Sequence, residues 1–320
     1  MYEERMHITP DTYLHALREH DCQDFLFLTP EGERRCNEMS DVHYQKDAFV
    51  PYHEHSRGVE TFSIDRGRVE ITINGKRCVA EEGDLIHISP YTSHGFRFLE
   101  EGTIWRELFQ DMDMYTGIME KNLIRRSCPE ALEDPDFMAA YRLRHHTVRL
   151  GEPEPEVVDK SQVPQVRPKG GALTRFTFDG VVCNQKVGRW ETGGEKEIWE
   201  FVLDRDMILT WAEPHPDRDL FVVKSGRVEV QAAGETFTAQ ARDILNIPPY
   251  TPHTLTVLEP GTVLHAYNCR SLVLRWMEEL ELLGRDQPEK LKDMDAVREI
   301  LRRHGCHLTG FERRPAGARP

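Results

Sequence analysis

The sequence contains no apolar run approaching the roughly 18 consecutive residues of a membrane-spanning helix, so no membrane span is expected. It has no CxxC pair, and its seven cysteines, at positions 22, 36, 78, 128, 183, 269 and 306, are scattered. An odd, dispersed set reads as reduced thiols rather than a disulfide framework. The opening stretch is polar and lacks the apolar core of a signal peptide, which makes a cytoplasmic location the expectation. Nor is there a basic stripe: the formal net charge is −14. That argues against a nucleic-acid binder, which needs clustered Lys and Arg, and leaves a small molecule as the expected partner, with a homodimer as an option. What the 320 residues do contain, 39% hydrophobic and 30% charged, suits two ordinary domains under a charged surface.

The strongest organising feature is an internal repeat. Arg66-Gly67-Arg68-Val69-Glu70-Ile71 returns as Ser225-Gly226-Arg227-Val228-Glu229-Val230, and Ile88 to His94 returns as Ile247 to His253. Glu100 to Thr103 matches Glu259 to Thr262, and one offset of 159 residues serves all three matches. Two copies of one domain follow. Each copy reads as β. Val69, Ile71 and Ile73 alternate with Glu70 and Thr72, the period of two that places one face in a core, and Asn74-Gly75 is a hairpin signal. Thr9-Pro10 reads as the start of a helix running to about Glu19, and Pro129 to Arg144 also reads as helical. The Pro- and Gly-rich stretch 151–171 reads as an extended linker. Ser271 to Gly305 reads as two helices broken near Gly284 to Pro288, with an apolar face that includes Val273, Trp276, Met277 and Leu280.

His53-x-His55 lies just ahead of a strand-like run that begins at Glu60, and His94 follows the next hairpin. Alternation sends positions i and i+2 to one face, so both imidazoles of His-x-His can reach one ion. Glu60 shares a face with Phe62 and Ile64, and a carboxylate among apolar side chains calls for a cation. Three imidazoles and one carboxylate suit Fe, Mn, Zn, Ni or Cu, and suit Mg or Ca poorly.

The pattern His53-x-His55-x4-Glu60-x6-Gly67, with His94 eleven residues after Gly83, resembles the two motifs of the cupin superfamily. Asp47, Ser89, Tyr91 and Phe98 depart from those motifs, but none is at a ligand position. The resemblance implies a mainly β chain of two tandem jelly-roll barrels with flanking helices. It also implies one divalent transition metal held by His53, His55, Glu60 and His94. The expected organisation is an arm at 1–44, a first barrel with a following helix at 45–147, a linker at 148–171 and a second barrel at 172–269. C-terminal helices at 270–312 and a disordered tail at 313–320 complete it.

In the second copy, Asp219 and His253 stand at the offset positions of Glu60 and His94, and a shortened loop brings Glu213-x-His215 opposite His53-x-His55. A shell of two His and two carboxylates is one reading. A degenerate pocket is the favoured one, because the shorter loop must also reposition His215. Tyr52, Arg57, Arg97, Trp105 and Arg106 flank the first motifs and are expected contacts for an anionic substrate. His87 reads as a satisfied strand residue, His145-His146 as solvated, and Cys306-His307 as part of a polar tail.

The resemblance implies a metal-dependent enzyme, foremost a dioxygenase of an enolic, phenolic or carboxylate compound, with Glu60 as a labile ligand and base. The alternatives are a non-oxidative isomerase or decarboxylase using the metal as Lewis acid, and a non-enzymatic binding protein. The acidic C-terminal helices are a poor DNA reader.

Overall fold

In the computed structural model, which describes residues 5–18, 21–28, 37–110, 114–178, 181–194, 196–269 and 272–313, the alternating segment Arg68–Ile73 is a strand. Val69, Ile71 and Ile73 are all buried in it, while Glu70 and Thr72 are only partly covered. The matching strand Arg227–Ala232 buries Val228, Val230 and Ala232. The chain divides into two compact units, residues 12–171 and residues 172–320 joined by residues 1–11. Each unit is a two-sheet β-barrel of the jelly-roll kind.

In the first unit, one sheet has the order Val166–Arg167, Leu85–Ile88, Val59–Arg66, Thr103–Gln110, Asn37–Tyr44, Cys22–Leu28, His15–Arg18. The other has the order Thr147–Arg149, Phe49–His55, His94–Phe98, Arg68–Ile73, Lys76–Glu81, Glu156–Val157. Phe62, Ile64, Ile71, Phe96, Phe98 and Trp105 meet between them as a core. Trp105 stacks on Phe62 at 4.3 Å and meets Phe96 and Phe98 edge-on. The second unit repeats this plan around Trp199, Val228, Val230, Leu255 and Leu264.

The glycines of the repeat have a steric cause. Gly67 and Gly226 have φ of +91° and +78°, and a Cβ on either would lie 2.5 or 2.3 Å from the hydroxyl of Thr103 or Thr262. Those threonines donate to the carbonyls of Glu100 and Glu259 at 2.8 and 2.7 Å, so they cannot move aside freely. The two separated matches in the sequence are thus one packed contact, present in each barrel. A second repeated contact is the pairing of Arg106 with Asp41 (2.7 and 3.0 Å) in the first unit and of His265 with Glu200 (3.0 Å) in the second.

Several elements differ from expectation. The stretch expected as a helix from Thr9 to about Glu19 instead holds the strand His15–Arg18, preceded by the strand His7–Ile8, and Glu19 lies outside the described residues. His7–Ile8 pairs with Ile244–Leu245 of the second barrel, and His15–Arg18 pairs with Gln23–Leu26. Edge pairing overrides a weak local helix preference here. The stretch at 148–171 is not a free linker. Val166–Arg167 pairs with Leu85–Ile86, Glu156–Val157 runs parallel to Lys76–Arg77, and Val163 and Val166 enter the core. Buried Asp84 fastens it, accepting from the Lys169 amide at 2.8 Å and the Lys160 ammonium at 2.7 Å.

Helix α1 (Met114–Ser127) was not foreseen, and the expected helix from Pro129 is a single 3-10 turn followed by α2 (Pro135–Arg144), capped by Asp134. The C-terminal helices α3 (Val273–Asp286) and α4 (Met294–Arg303) break around Pro288, and α3 buries Val273, Met277 and Leu280. The last described element is a further strand, Gly310–Arg313, paired with Met207–Thr210. The tail expected to be disordered lies, after Arg313, outside the described residues. None of the described helices is long and apolar enough to cross a membrane.

Two outcomes follow. Gly67→Ala or Gly226→Ala should each cost roughly 2–4 kcal/mol in urea unfolding, from left-handed backbone strain and the clash with threonine. Acid should also weaken the second barrel. Burial pulls the His265 pKa from 6.5 down to about 4, so the unfolded chain takes up this proton before the folded one and stability falls from pH 6.5 to 4. Burial works against the Glu200 charge, but His265 and Lys186 bring its pKa from 4.5 down to about 2, which extends the loss below pH 4.5. Urea midpoints should fall across this range, and His265→Gln should flatten the upper part.

Candidate metal centre

The strand Phe49–His55 sends His53 and His55 to one face, as a period of two requires. His94 opens the neighbouring strand directly opposite His53, and Glu60 comes from the facing sheet, paired across from Ile88. The four side chains meet. Their ligand atoms all lie within 4.8 Å of one another. His55 Nε2 is 3.3 Å from Glu60 Oε1, His94 Nε2 is 3.0 Å from Glu60 Oε2, and His53 Nε2 is 3.0 Å from His55 Nε2. His55, Glu60 and His94 are buried and His53 is half-buried.

The backbone fixes which nitrogen of each ring faces inward. His53 Nδ1 lies 2.7 Å from the Pro51 carbonyl and His94 Nδ1 lies 2.8 Å from the Thr92 carbonyl. A carbonyl only accepts, so both Nδ1 atoms carry the proton and both Nε2 atoms present lone pairs. The Thr147 hydroxyl donates to the His145 carbonyl and so accepts from His55 Nδ1, which gives His55 the same tautomer. Three lone pairs and a carboxylate therefore converge with no donor among them, and His94 Nε2 and Glu60 Oε2 have no hydrogen-bond partner. A divalent cation satisfies that set, and the N3O donor chemistry fits a transition ion.

Burial, helped by His94, brings the His53 pKa down to about 3. Burial opposes the Glu60 charge, but His55 and His94 hold its carboxyl well below the usual range. Burial would lower His94 as well, and Glu60 outweighs it and raises the ring.

The expected substrate contacts do not gather here. Tyr52 is buried with its hydroxyl accepting from the Gly75 amide at the hairpin, and Trp105 is a core residue. Arg57 and Arg97 are exposed, while Arg106 is buried against Asp41 and over the Phe27 ring. Alternation predicted the faces, but not that the outer side of the sheet around Arg106 is itself covered. His87 is satisfied by Thr61 as expected. His145, expected in solvent, is buried and paired with Glu120 at 2.8 Å.

One group was missed. On Thr103–Gln110, Glu107 lies between the inward residues Trp105 and Phe109, two positions along from the residue paired with Glu60. Its Oε1 accepts from Trp105 Nε1 at 2.8 Å. Burial, with Asp24 and then Glu60 adding to it, pushes this carboxyl well above the usual range, which favours its protonated form. Tyr44, raised by burial and by Glu107, stacks on Phe98 nearby. The signal was legible: an acidic residue at an inward position of an aromatic strand.

In the second barrel His215, Asp219 and His253 come together, but Glu213 is exposed and stands apart from them, so the four-residue shell, the less favoured of the two readings, does not form.

The cupin-domain family model matches residues 40–104. No curated protein matches the chain. Among solved structures, a tryptophan-to-tyrosine variant of Bacillus subtilis oxalate decarboxylase is 15% identical with a TM-score of 0.52, covering 84% of this chain and 78% of that one. A second Bacillus subtilis oxalate decarboxylase structure, described in terms of its Mn(II) centres, is 14% identical with a TM-score of 0.52 and the same coverage. The Lactobacillus farciminis oxalate decarboxylase formate complex is 14% identical with a TM-score of 0.51, covering 84% of this chain and 88% of that one. At these identities the likeness is one of fold.

Replacing His53 or His94 by Ala should remove one metal equivalent in elemental analysis. It should also abolish the stabilisation that the metal gives, about 2.7 kcal/mol at a hundredfold excess over Kd.

Proposed function

Starting from a chain that belongs to the cupin superfamily and carries its barrel twice, we propose a metal-dependent lyase that removes carbon dioxide from a small, oxygen-rich keto or dicarboxylic acid. The observation that carries this reading is the presence, inside the first barrel, of the His53–His55–Glu60–His94 set and of the buried Glu107 carboxyl, on the strand that pairs with the one carrying Glu60. The fold likeness to oxalate decarboxylases supports it over the dioxygenase suggested by the motifs alone.

A divalent ion held by these four residues would supply Lewis-acid stabilisation of the negative charge that builds as carbon dioxide leaves. The chain's own residues do the rest. Pro51, Thr92 and Thr147 keep the three imidazoles in one tautomer and one orientation. Phe62, Phe96 and Phe109 pack beside Trp105 and Glu60 and keep water away from the developing charge. When the carbon–carbon bond breaks, its electron pair stays on the substrate carbon, and Glu107 gives its proton to that carbon. The Trp105 indole N–H then steadies the Glu107 carboxylate until water returns the proton. Glu60, held between two imidazoles, stays with the ligand set in this reading rather than acting as the base.

The test is a panel of small keto and dicarboxylic acids, oxalate included, assayed with Mn(II) or Zn(II) for carbon dioxide release and for O2 uptake. The expected result is release without stoichiometric O2 consumption. Glu107→Gln should lower kcat by about 10²–10⁴ with metal content unchanged. One O2 consumed per substrate would overturn the proposal in favour of a dioxygenase, and binding without turnover would favour a non-enzymatic role.

A further inference from the structure

The second barrel repeats the anchoring of the first where its ligands do not. His253 Nδ1 lies 2.9 Å from the Thr251 carbonyl, as His94 Nδ1 does from that of Thr92, so His253 Nε2 also presents a lone pair. The Tyr250 amide donates to the His215 carbonyl at 2.7 Å, as the Tyr91 amide does to His55 at 2.8 Å, and both tyrosines hold a left-handed backbone to do so. Asp219 pairs across from Ile247 as Glu60 pairs across from Ile88. The shortened loop has therefore left His215 in the place of His55. The change is at the fourth position: the residue paired with His253 is Trp211, where His53 pairs with His94. Its ring stacks on His253 at 4.6 Å.

His253 Nε2 faces Asp219 Oδ2 at 3.5 Å, and His215 Nε2 lies 3.1 Å from the same carboxylate oxygen. His215 Nδ1 and His253 Nε2 have no hydrogen-bond partner, although both histidines are 3% exposed. The ligand atoms of the three residues lie within 4.8 Å of one another. Beside them is a cavity of about 150 Å³, with Phe201, Leu209, Trp211, Phe221, Trp276 and Met277 among its walls. A volume of this size holds a benzene-sized group. Residues of α3 and α4 roof it, and His307, which follows α4, stacks on His215 at 4.7 Å.

We propose that the second barrel carries its own divalent-cation site on His215, Asp219 and His253, and that its open side faces the apolar cavity, which takes a small organic anion with an aromatic or branched aliphatic body. The carboxylate of such a molecule reaches the cation at the polar end, and its body displaces water from the aromatic walls. This inference stands apart from the reaction proposed for the first barrel, since it rests on different residues.

The experiment is Co(II) titration of the metal-stripped full chain, followed by absorption and elemental analysis. The wild type should bind a second equivalent. His53→Ala/His94→Ala should keep that equivalent, whereas Asp219→Asn and His253→Gln should each lose it and keep the other. Thermal melts without metal check that the variants fold. In the His53→Ala/His94→Ala protein, benzoate should change the Co(II) spectrum at a roughly tenfold lower concentration than acetate. A folded His53→Ala/His94→Ala protein that binds no Co(II) would overturn the cation site. Equal responses to benzoate and acetate would overturn the role of the cavity.

Discussion

The carbonyl oxygens of Pro51 and Thr92 fix the chemistry of the first barrel, because a ring nitrogen that faces a carbonyl must carry the proton. Each imidazole is thereby left with its lone pair pointing inward, toward a carboxylate that cannot donate either. Burial makes such a set costly unless a cation enters it, since water cannot reach the acceptors from the core side. The rest of the barrel serves this arrangement. Strand pairing places His94 opposite His53, and the facing sheet supplies Glu60 from among Phe62 and Ile64.

The two barrels show how one scaffold separates what it must keep from what it can change. Gly67 with Thr103 and Gly226 with Thr262 preserve the same close approach, because no side chain fits there. The buried polar pair on the sheet tolerates exchange: Arg106 with Asp41 becomes His265 with Glu200, still a nitrogen donor against a carboxylate. At the barrel interior the exchange of a histidine for Trp211 removes a ligand and adds an apolar wall. The polar interior of the first barrel, with Glu107, and the apolar cavity of the second thus suit different ligands.

Much of this was legible in the residues. Period-two alternation and the 159-residue repeat pointed to paired barrels, and the His-x-His spacing placed two rings on one face. Legibility ended where tertiary pairing decides. The stretch after Gly151 has the composition of a linker, yet its backbone groups find strand partners and Val163 finds the core. Alternation shows that Arg106 and Trp105 point to opposite faces, but not that the outer face around Arg106 is itself covered. The fixed offset sets Trp211 against Tyr52, whereas strand pairing puts it where His53 stands. Glu107 was readable in principle: the alternation that buries Trp105 and Phe109 buries it too.

The central claim is that His53, His55, Glu60 and His94 hold a divalent transition metal. An anomalous-difference map, recorded at the absorption edge of the metal carried by protein purified without added metal, tests it most directly. The account predicts a peak bounded by the three Nε2 atoms and the Glu60 carboxylate. A map with these four side chains ordered as described and no peak among them would contradict it.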